Sequence, residues 1–401
     1  MKKFAVLITS ALLVCVTVFF PFCAVTAEKE PVYGQETTSD VSDNSYESFL
    51  KRYAQYSKPL TSLSVDMSTM SADENSQAML LSNYAEKTNV ISFAGDEGSV
   101  SLSVSIPEAG LYSMRMSTMP MLETNKGIEF GVSINGNVPY SNAGNFTISC
   151  LYSNENNQKD NRGNDIIPRQ IKQEAWMTDS LFDPQGLYDD PLVFAFEKGV
   201  NTITLNVSSG AFYIADIELY NTEYPTYAEK LEQWKKAGAT EAAAEKPIII
   251  EGESAHSKTD PALIPKSDRN SAATSPSSPT LNLLNTISSS KFGQKLTFSF
   301  DVDKSGLYKL GMRFSQKDLR GFFVTRRIYI DGVVPFNEFS NVKYFYKNSW
   351  QYEEIADDND NPYLIYLEAG HHELTLEVVL GDFSPVIREL NTVMQQMSNL
   401  Y

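Results

Sequence analysis

Gly98-Ser-Val-Ser-Leu-Ser-Val-Ser-Ile-Pro-Glu-Ala-Gly-Leu-Tyr112 decides the fold, because the chain says it twice: Gly293-Gln-Lys-Leu-Thr-Phe-Ser-Phe-Asp-Val-Asp-Lys-Ser-Gly-Leu-Tyr308 follows the same plan. Val100, Leu102, Val104 and Ile106 alternate with serines, which is the period of a half-buried strand. Leu296, Phe298, Phe300 and Val302 alternate in the same way. Ala109-Gly110 and Ser305-Gly306 then turn the chain into the next strand.

Working outward, two more blocks recur. The Gly-Leu-Tyr triplets at 110–112 and 306–308 lie 196 residues apart, and Ile134-Asn-Gly-Asn-Val-Pro-Tyr140 matches Ile330-Asp-Gly-Val-Val-Pro-Phe336 at the same offset of 196. Asn135-Gly136 and Asp331-Gly332 are strong hairpin signals. Pro191 to Leu205 matches Pro362 to Leu376 at an offset of 171, so the first copy carries about 25 extra residues. They fall between Ser153 and Asp190, a polar stretch that reads as a long loop. With roughly eight strands per copy, the fold class is all-β. It comprises two tandem jelly-roll β-sandwich domains, each preceded by a short α-helix.

The flanks set the boundaries. Lys2-Lys3, the apolar run Phe4 to Phe22 and Val25-Thr26-Ala27 read as a secretory signal peptide over 1–27, followed by a polar linker over 28–43. Tyr46, Phe49, Leu50 and Tyr53 have helical spacing, giving a short helix at 44–58 before a first sandwich at 59–224. Tyr227, Leu231 and Trp234 repeat that spacing in a helical linker at 225–246, before a second sandwich at 247–385. Val386, Leu390, Val393, Met394 and Met397 predict an amphipathic helix over 386–401. Ser267 to Pro279 is Ser/Pro/Ala-rich and reads as a loop.

Composition excludes whole classes of function. A formal charge of −17, about −19 once Lys2 and Lys3 are cleaved away, repels phosphate backbones, so nucleic acid is not an expected partner. Cys150 is the one cysteine beyond residue 27, so stability rests on packed cores rather than disulfides. There are 22 Phe and 21 Tyr against three Trp and three His, a composition suited to sheets and stacking faces and poor in metal or triad chemistry. His371-His372 lacks a third ligand, and no Gly-x-Ser-x-Gly elbow occurs, so an enzyme is not expected.

The quoted blocks resemble carbohydrate-binding-module and galactose-binding-like jelly rolls. The pair is similar to the tandem N-terminal region of extracellular solute-binding proteins of ABC transporters in Gram-positive bacteria. That resemblance implies a secreted protein at the cell surface or cell wall, with an oligo- or polysaccharide as partner. An ABC permease would be reached through a downstream solute-binding domain for which this chain has no room, so either a longer protein or a stand-alone binding pair is expected. It implies a non-catalytic carbohydrate-binding tandem module serving sugar uptake. A structural or interaction module, or an accessory region of a glycoside hydrolase, are the alternatives.

Sugar recognition needs flat aromatic faces beside groups that bond hydroxyls. In the second copy Arg326, Tyr344, Tyr346 and Trp350 supply both, with Trp350 placed past a strand end. In the first copy Trp176 stands near Arg169 and Gln173. Glu251-Gly252-Glu253 resembles the acidic first strand of calcium-carrying carbohydrate modules, which implies a structural calcium with Glu251 and Glu253 as oxygen ligands. The aspartate that such a site wants in the last strand is absent from the second copy, while Asp216 holds that place in the first. Asp357 to Asn361 begins like a calcium loop, but Pro362 stands where glycine is required, and it reads as a polar turn.

Overall fold

Alternation becomes packing. Val100, Leu102, Val104 and Ile106 are all buried, and between them Ser101 faces outward to share a 2.9 Å hydrogen bond with Thr204. The computed structural model describes residues 44–398, except 75, 96, 123–126, 157, 222, 243–245 and 271–282. The expected signal peptide at 1–27 and linker at 28–43 lie outside the described residues, as does much of the loop expected at 267–279. No helix among the described residues is long and apolar enough to cross a membrane.

The first copy opens with α1 (Tyr46–Arg52). Its strands are β1 (Leu63–Ser64), β2 (Ser71–Ala72), β3 (Ala78–Tyr84), β4 (Lys87–Phe93), β5 (Gly98–Ile106), β6 (Gly110–Pro120), β7 (Ile128–Ile134), β8 (Phe146–Ile148), β9 (Leu151–Asn154), β10 (Gln158–Lys159), β11 (Asp165–Ile166), β12 (Gln170–Gln173), β13 (Met177–Ser180), β14 (Val193–Phe196), β15 (Gly199–Ser209) and β16 (Phe212–Tyr220). The second copy holds α2 (Tyr227–Lys236), β17 (Ser257–Lys258), β18 (Lys295–Val302), β19 (Gly306–Lys309), β20 (Gly311–Phe314), β21 (Phe323–Ile330), β22 (Val342–Phe345), β23 (Gln351–Glu354), β24 (Leu364–Leu367), β25 (Gly370–Val379) and α3 (Phe383–Ser398).

The first sandwich packs the sheet β2-β5-β15-β7-β8 against β13-β6-β16-β4-β3, to which β14 and β1 add. The second repeats the first of these layers as β17-β18-β25-β21-β22. Its opposite layer is reduced to β19 with β24 and β20 with β23. The turns repeat in detail. Asn135 and Asp331 both have φ of 51°, each followed by a left-handed glycine, as a primed two-residue turn requires. Asn135 Oδ1 accepts from the Thr202 amide and Asp331 Oδ1 from the Glu373 amide, each at 2.9 Å. The helices belong to the repeat as well: the Val193 amide donates to the Tyr46 hydroxyl at 3.0 Å, and the Leu364 amide to the Tyr227 hydroxyl at 3.1 Å.

One expectation changes. The stretch from Ser153 to Asp190 is not a plain loop. β9 and β12 form a hairpin that leaves the first sandwich and extends the sheet of the second, where Tyr152 pairs with Lys258. β13 then returns to pair with β6. The stretch looked loop-like because neither face of this hairpin is buried, so its residues carry no apolar period. At the end of the repeat the two copies part. Phe212, Glu218 and Leu219 match Phe383, Glu389 and Leu390 at the offset of 171, yet the first set lies in strand β16 and the second in helix α3. Pro385 in the first turn suits a helix start and would remove a ladder donor from a central strand.

Loop 181–190 of the first sandwich locks onto the second. Asp189 accepts from the Gly381 amide at 3.1 Å and from Ser384 Oγ at 3.1 Å, and Arg388 Nη1 donates to the Leu187 carbonyl. Gly186 has φ of +70°, and a Cβ there would stand 2.4 Å from the Phe292 ring. Gly186→Ala is therefore expected to cost about 2 kcal/mol, from backbone strain and the displaced ring together. Urea unfolding would register this as a lower midpoint with unchanged slope, and an unmoved midpoint would refute the tight packing.

Candidate functional site

Outward-facing residues of the second sandwich's main sheet build one wall of the inter-sandwich contact. Arg327 and Glu377 are both buried and lie 3.5 Å apart, and the Tyr329 hydroxyl donates to Glu377 Oε2 at 2.6 Å. The Arg327 guanidinium sits 5.1 Å over the Phe182 ring and donates to the Asp189 carbonyl. Lys295 Nζ donates to Asp179 Oδ2 at 2.8 Å and lies 3.9 Å from Glu377. Burial alone would lower the Lys295 ammonium, but the charges of Asp179 and Glu377 overcome it and hold the group above the usual lysine range.

Beside this cluster opens a cleft of about 710 Å³. Met116, Thr118, Phe130 and Phe146 of the first sandwich form its floor. Tyr152, Gln170 and Lys172 of the β9–β12 hairpin form a second wall, and Thr259, Asp260 and Phe292 to Lys295 of the second sandwich close it. Cys150 also lines it as a free thiol, which burial pushes up in pKa. The half-buried rings of Tyr152 and Phe292, with amides, carboxylates and ammonium groups, thus line one concave site, a donor and acceptor set that suits a polyhydroxylated ligand. Most of its polar groups are already engaged: Gln294 Nε2 donates to Asp260 Oδ2 at 2.8 Å, Asp183 accepts from Asn142 Nδ2 at 2.8 Å, Lys172 Nζ donates to the Met121 carbonyl at 3.2 Å, and Asp179 holds Lys295. None of the three histidines lines it. His372 instead braces a turn, bonded to Asp331 Oδ2 at 2.7 Å and the Glu368 carbonyl at 2.8 Å.

No protein-family model matches the chain, and no curated protein does. Among solved structures it is similar to the C-terminal CBM6 of a marine laminarinase from Zobellia galactanivorans, with 13% identity and a TM-score of 0.26, over 40% of this chain and 100% of that one. It is also similar to a CBM35 from Paenibacillus barcinonensis, with 12% identity and a TM-score of 0.26, over 40% of this chain and 99% of that one. A third likeness is to a family 35 carbohydrate binding module from Clostridium thermocellum, with 11% identity and a TM-score of 0.25, over 40% and 99% of the two chains.

The residues expected to bind ligand fall in two places, neither in the cleft. Tyr344 is only 4% exposed and packs edge-on to Phe314 at 4.8 Å, so its ring offers no face to solvent. Alternation along β22 puts Tyr344 on the same face as Val342, and that face is the core. Arg326 is half-buried, donating to the Thr325 carbonyl at 2.8 Å and the Ser289 carbonyl at 2.6 Å, and burial lowers its guanidinium. Tyr346 is half-buried beside them, and Trp350 Nε1 donates to Asp268 Oδ2 at 3.0 Å. At the offset of 196, Arg326 and Tyr344 take the positions of Phe130 and Ile148, which line the cleft.

In the first sandwich Trp176 Nε1 donates to the Ala85 carbonyl at 2.8 Å, next to the stacked pair Tyr84 and Tyr213 at 4.2 Å. Arg169 is exposed. The cleft takes the chain neighbour of each: Gln170 and Met177 line it, and Arg169 and Trp176 do not. Glu251 is exposed and starts a short 3-10 turn. Glu253 Oε2 is buried without a hydrogen-bond partner among the described residues, and burial, with the charges of Glu251 and Asp165, raises its carboxyl. Among the described residues no group of three His, Cys, Asp or Glu side chains is placed to hold a metal ion. Asp216 is paired with Lys87 at 2.5 Å. Asp357 closes a polar turn by accepting from the Asn359 and Asn361 amides at 2.9 Å.

Proposed function

We propose that this chain is an extracellular, non-catalytic carbohydrate-binding tandem module whose ligand occupies the cleft between the two sandwiches, in the service of a sugar-uptake system of the ABC type. The observation that carries the reading is the cleft itself, about 710 Å³ lined by Phe292, Tyr152, Gln170, Asp179 and Lys295 from both copies. Rings of this kind stack on sugar C–H faces while amides and charges bond hydroxyls. The sequence resemblance to tandem solute-binding regions supplies the uptake context.

Isothermal titration against a panel of soluble xylan, mannan, β-glucan and galactan oligosaccharides tests it. Phe292→Ala is expected to weaken binding about tenfold, near the 1.4 kcal/mol of one stacked ring. Trp350→Ala distinguishes a second site at the far end of the second sandwich. Absence of binding to every glycan in the panel would sink the reading. A second reading, a module that positions a partner at the cell surface, is favoured by one observation: Val386, Leu390, Val393, Met394 and Met397 of α3 are all exposed.

A further inference from the structure

The β9–β12 hairpin is the cleft wall built from short, unburied strands. Each strand has four residues, and none of the eight is buried. β12 is the outer edge of the sheet, and β9 meets the second sandwich at a single ladder position, Tyr152 opposite Lys258. An element with so little buried surface belongs to the low end of local stability.

Lys258 stands at the joint. The residue is 1% exposed, and its Nζ donates to Asn154 Oδ1 at 2.5 Å and to Gln170 Oε1. Asn154 and Gln170 are cross-strand partners, so one ammonium contacts both strands of the hairpin. Both acceptors are neutral amides. A buried cation held by neutral groups alone is an expensive arrangement, and replacement by an apolar side chain of similar volume commonly stabilises such a site. Burial displaces the ammonium from its ordinary 10.5 to about 8, in keeping with that cost. The two amides also bond each other, Gln170 Nε2 donating to Asn154 Oδ1 at 2.9 Å, so the hairpin pair survives loss of the lysine.

We infer that the β9–β12 hairpin is a lid over the cleft, kept close to release by the uncompensated charge of Lys258 at its joint. That the lid gates a sugar rests on the carbohydrate-binding reading; that it opens does not. Cys150, one residue before β9 and lining the cleft, reports the opening without any ligand.

The experiment is iodoacetamide labelling of the full chain, followed at the Cys150 peptide by mass spectrometry. Where opening is fast, the labelling rate tracks the open population. Lys258→Met is expected to slow labelling of Cys150 about tenfold, because the joint no longer buries a charge. A Lys258→Met rate equal to or faster than wild type would overturn the inference, as would wild-type labelling as fast as that of the urea-unfolded chain. If Lys258→Met fails to fold, Lys258→Gln, also uncharged, carries the same expectation and the same refutation. The labelling result stands whether or not any glycan binds.

Discussion

Glu377→Ala is expected to destabilise the chain by about 3–5 kcal/mol, the range for removing one partner of a buried ion pair. Glu377 is 4% exposed and is the shared acceptor of three groups: the Tyr329 hydroxyl at 2.6 Å, Arg327 at 3.5 Å and Lys295 at 3.9 Å. Truncation leaves the phenol without its acceptor and Arg327 without a carboxylate, while Lys295 keeps Asp179. The cost is therefore mostly that of a stranded guanidinium and phenol rather than of lost packing. Removing both members should separate the two: an Arg327→Met, Glu377→Leu double variant is expected to lose less than Glu377→Ala alone, because no buried charge is left unpaired. Urea unfolding of the two variants measures this. A loss below about 1 kcal/mol for Glu377→Ala would place the cluster in solvent-screened territory and refute its burial.

The same cluster shows why the fold was legible and the cleft was not. Turns such as Asn135-Gly136 and strands such as Val100 to Ile106 are set by neighbours in sequence, so they announce themselves locally. Glu377, Arg327, Asp179 and Asp189 come from distant segments, and nothing in their spacing says that they meet. Each looked like an ordinary charge in an acidic chain. The burial of Tyr344 was hidden for a related reason. Alternation placed Val342, Tyr344 and Tyr346 on one face, but which face is inner depends on β25 pairing with β21 on the far side. Helix α3 is the opposite case. Its residues match those of strand β16 in three places, and helical spacing with Pro385 in the first turn outweighed that homology.

Lys258 gives the second large effect, this time with pH. In the unfolded chain its ammonium keeps the ordinary value of 10.5, whereas in the fold burial brings it to about 8, and no charged neighbour contributes to the change. Between those values the unfolded chain binds more protons than the native one, so stability rises with pH. With these two values the gain amounts to about 2 kcal/mol from pH 7.5 to 9.5. The direction is the reverse of that for a lysine paired with carboxylates. Lys295, raised by Asp179 and Glu377, contributes stability that is fully present at neutral pH and is lost only above the usual lysine range. Tyrosines raised by burial, such as Tyr140 and Tyr329, start to cost stability only as the unfolded phenol ionises near 10, which is why the window closes at 9.5. The comparison that isolates Lys258 is wild type against Lys258→Met across that window. The wild type should gain on the variant by about 2 kcal/mol, the variant being the more stable of the two at pH 7.5. Parallel curves would mean that the Lys258 ammonium is as well satisfied in the fold as in water, and the lid would then lose its reason to open.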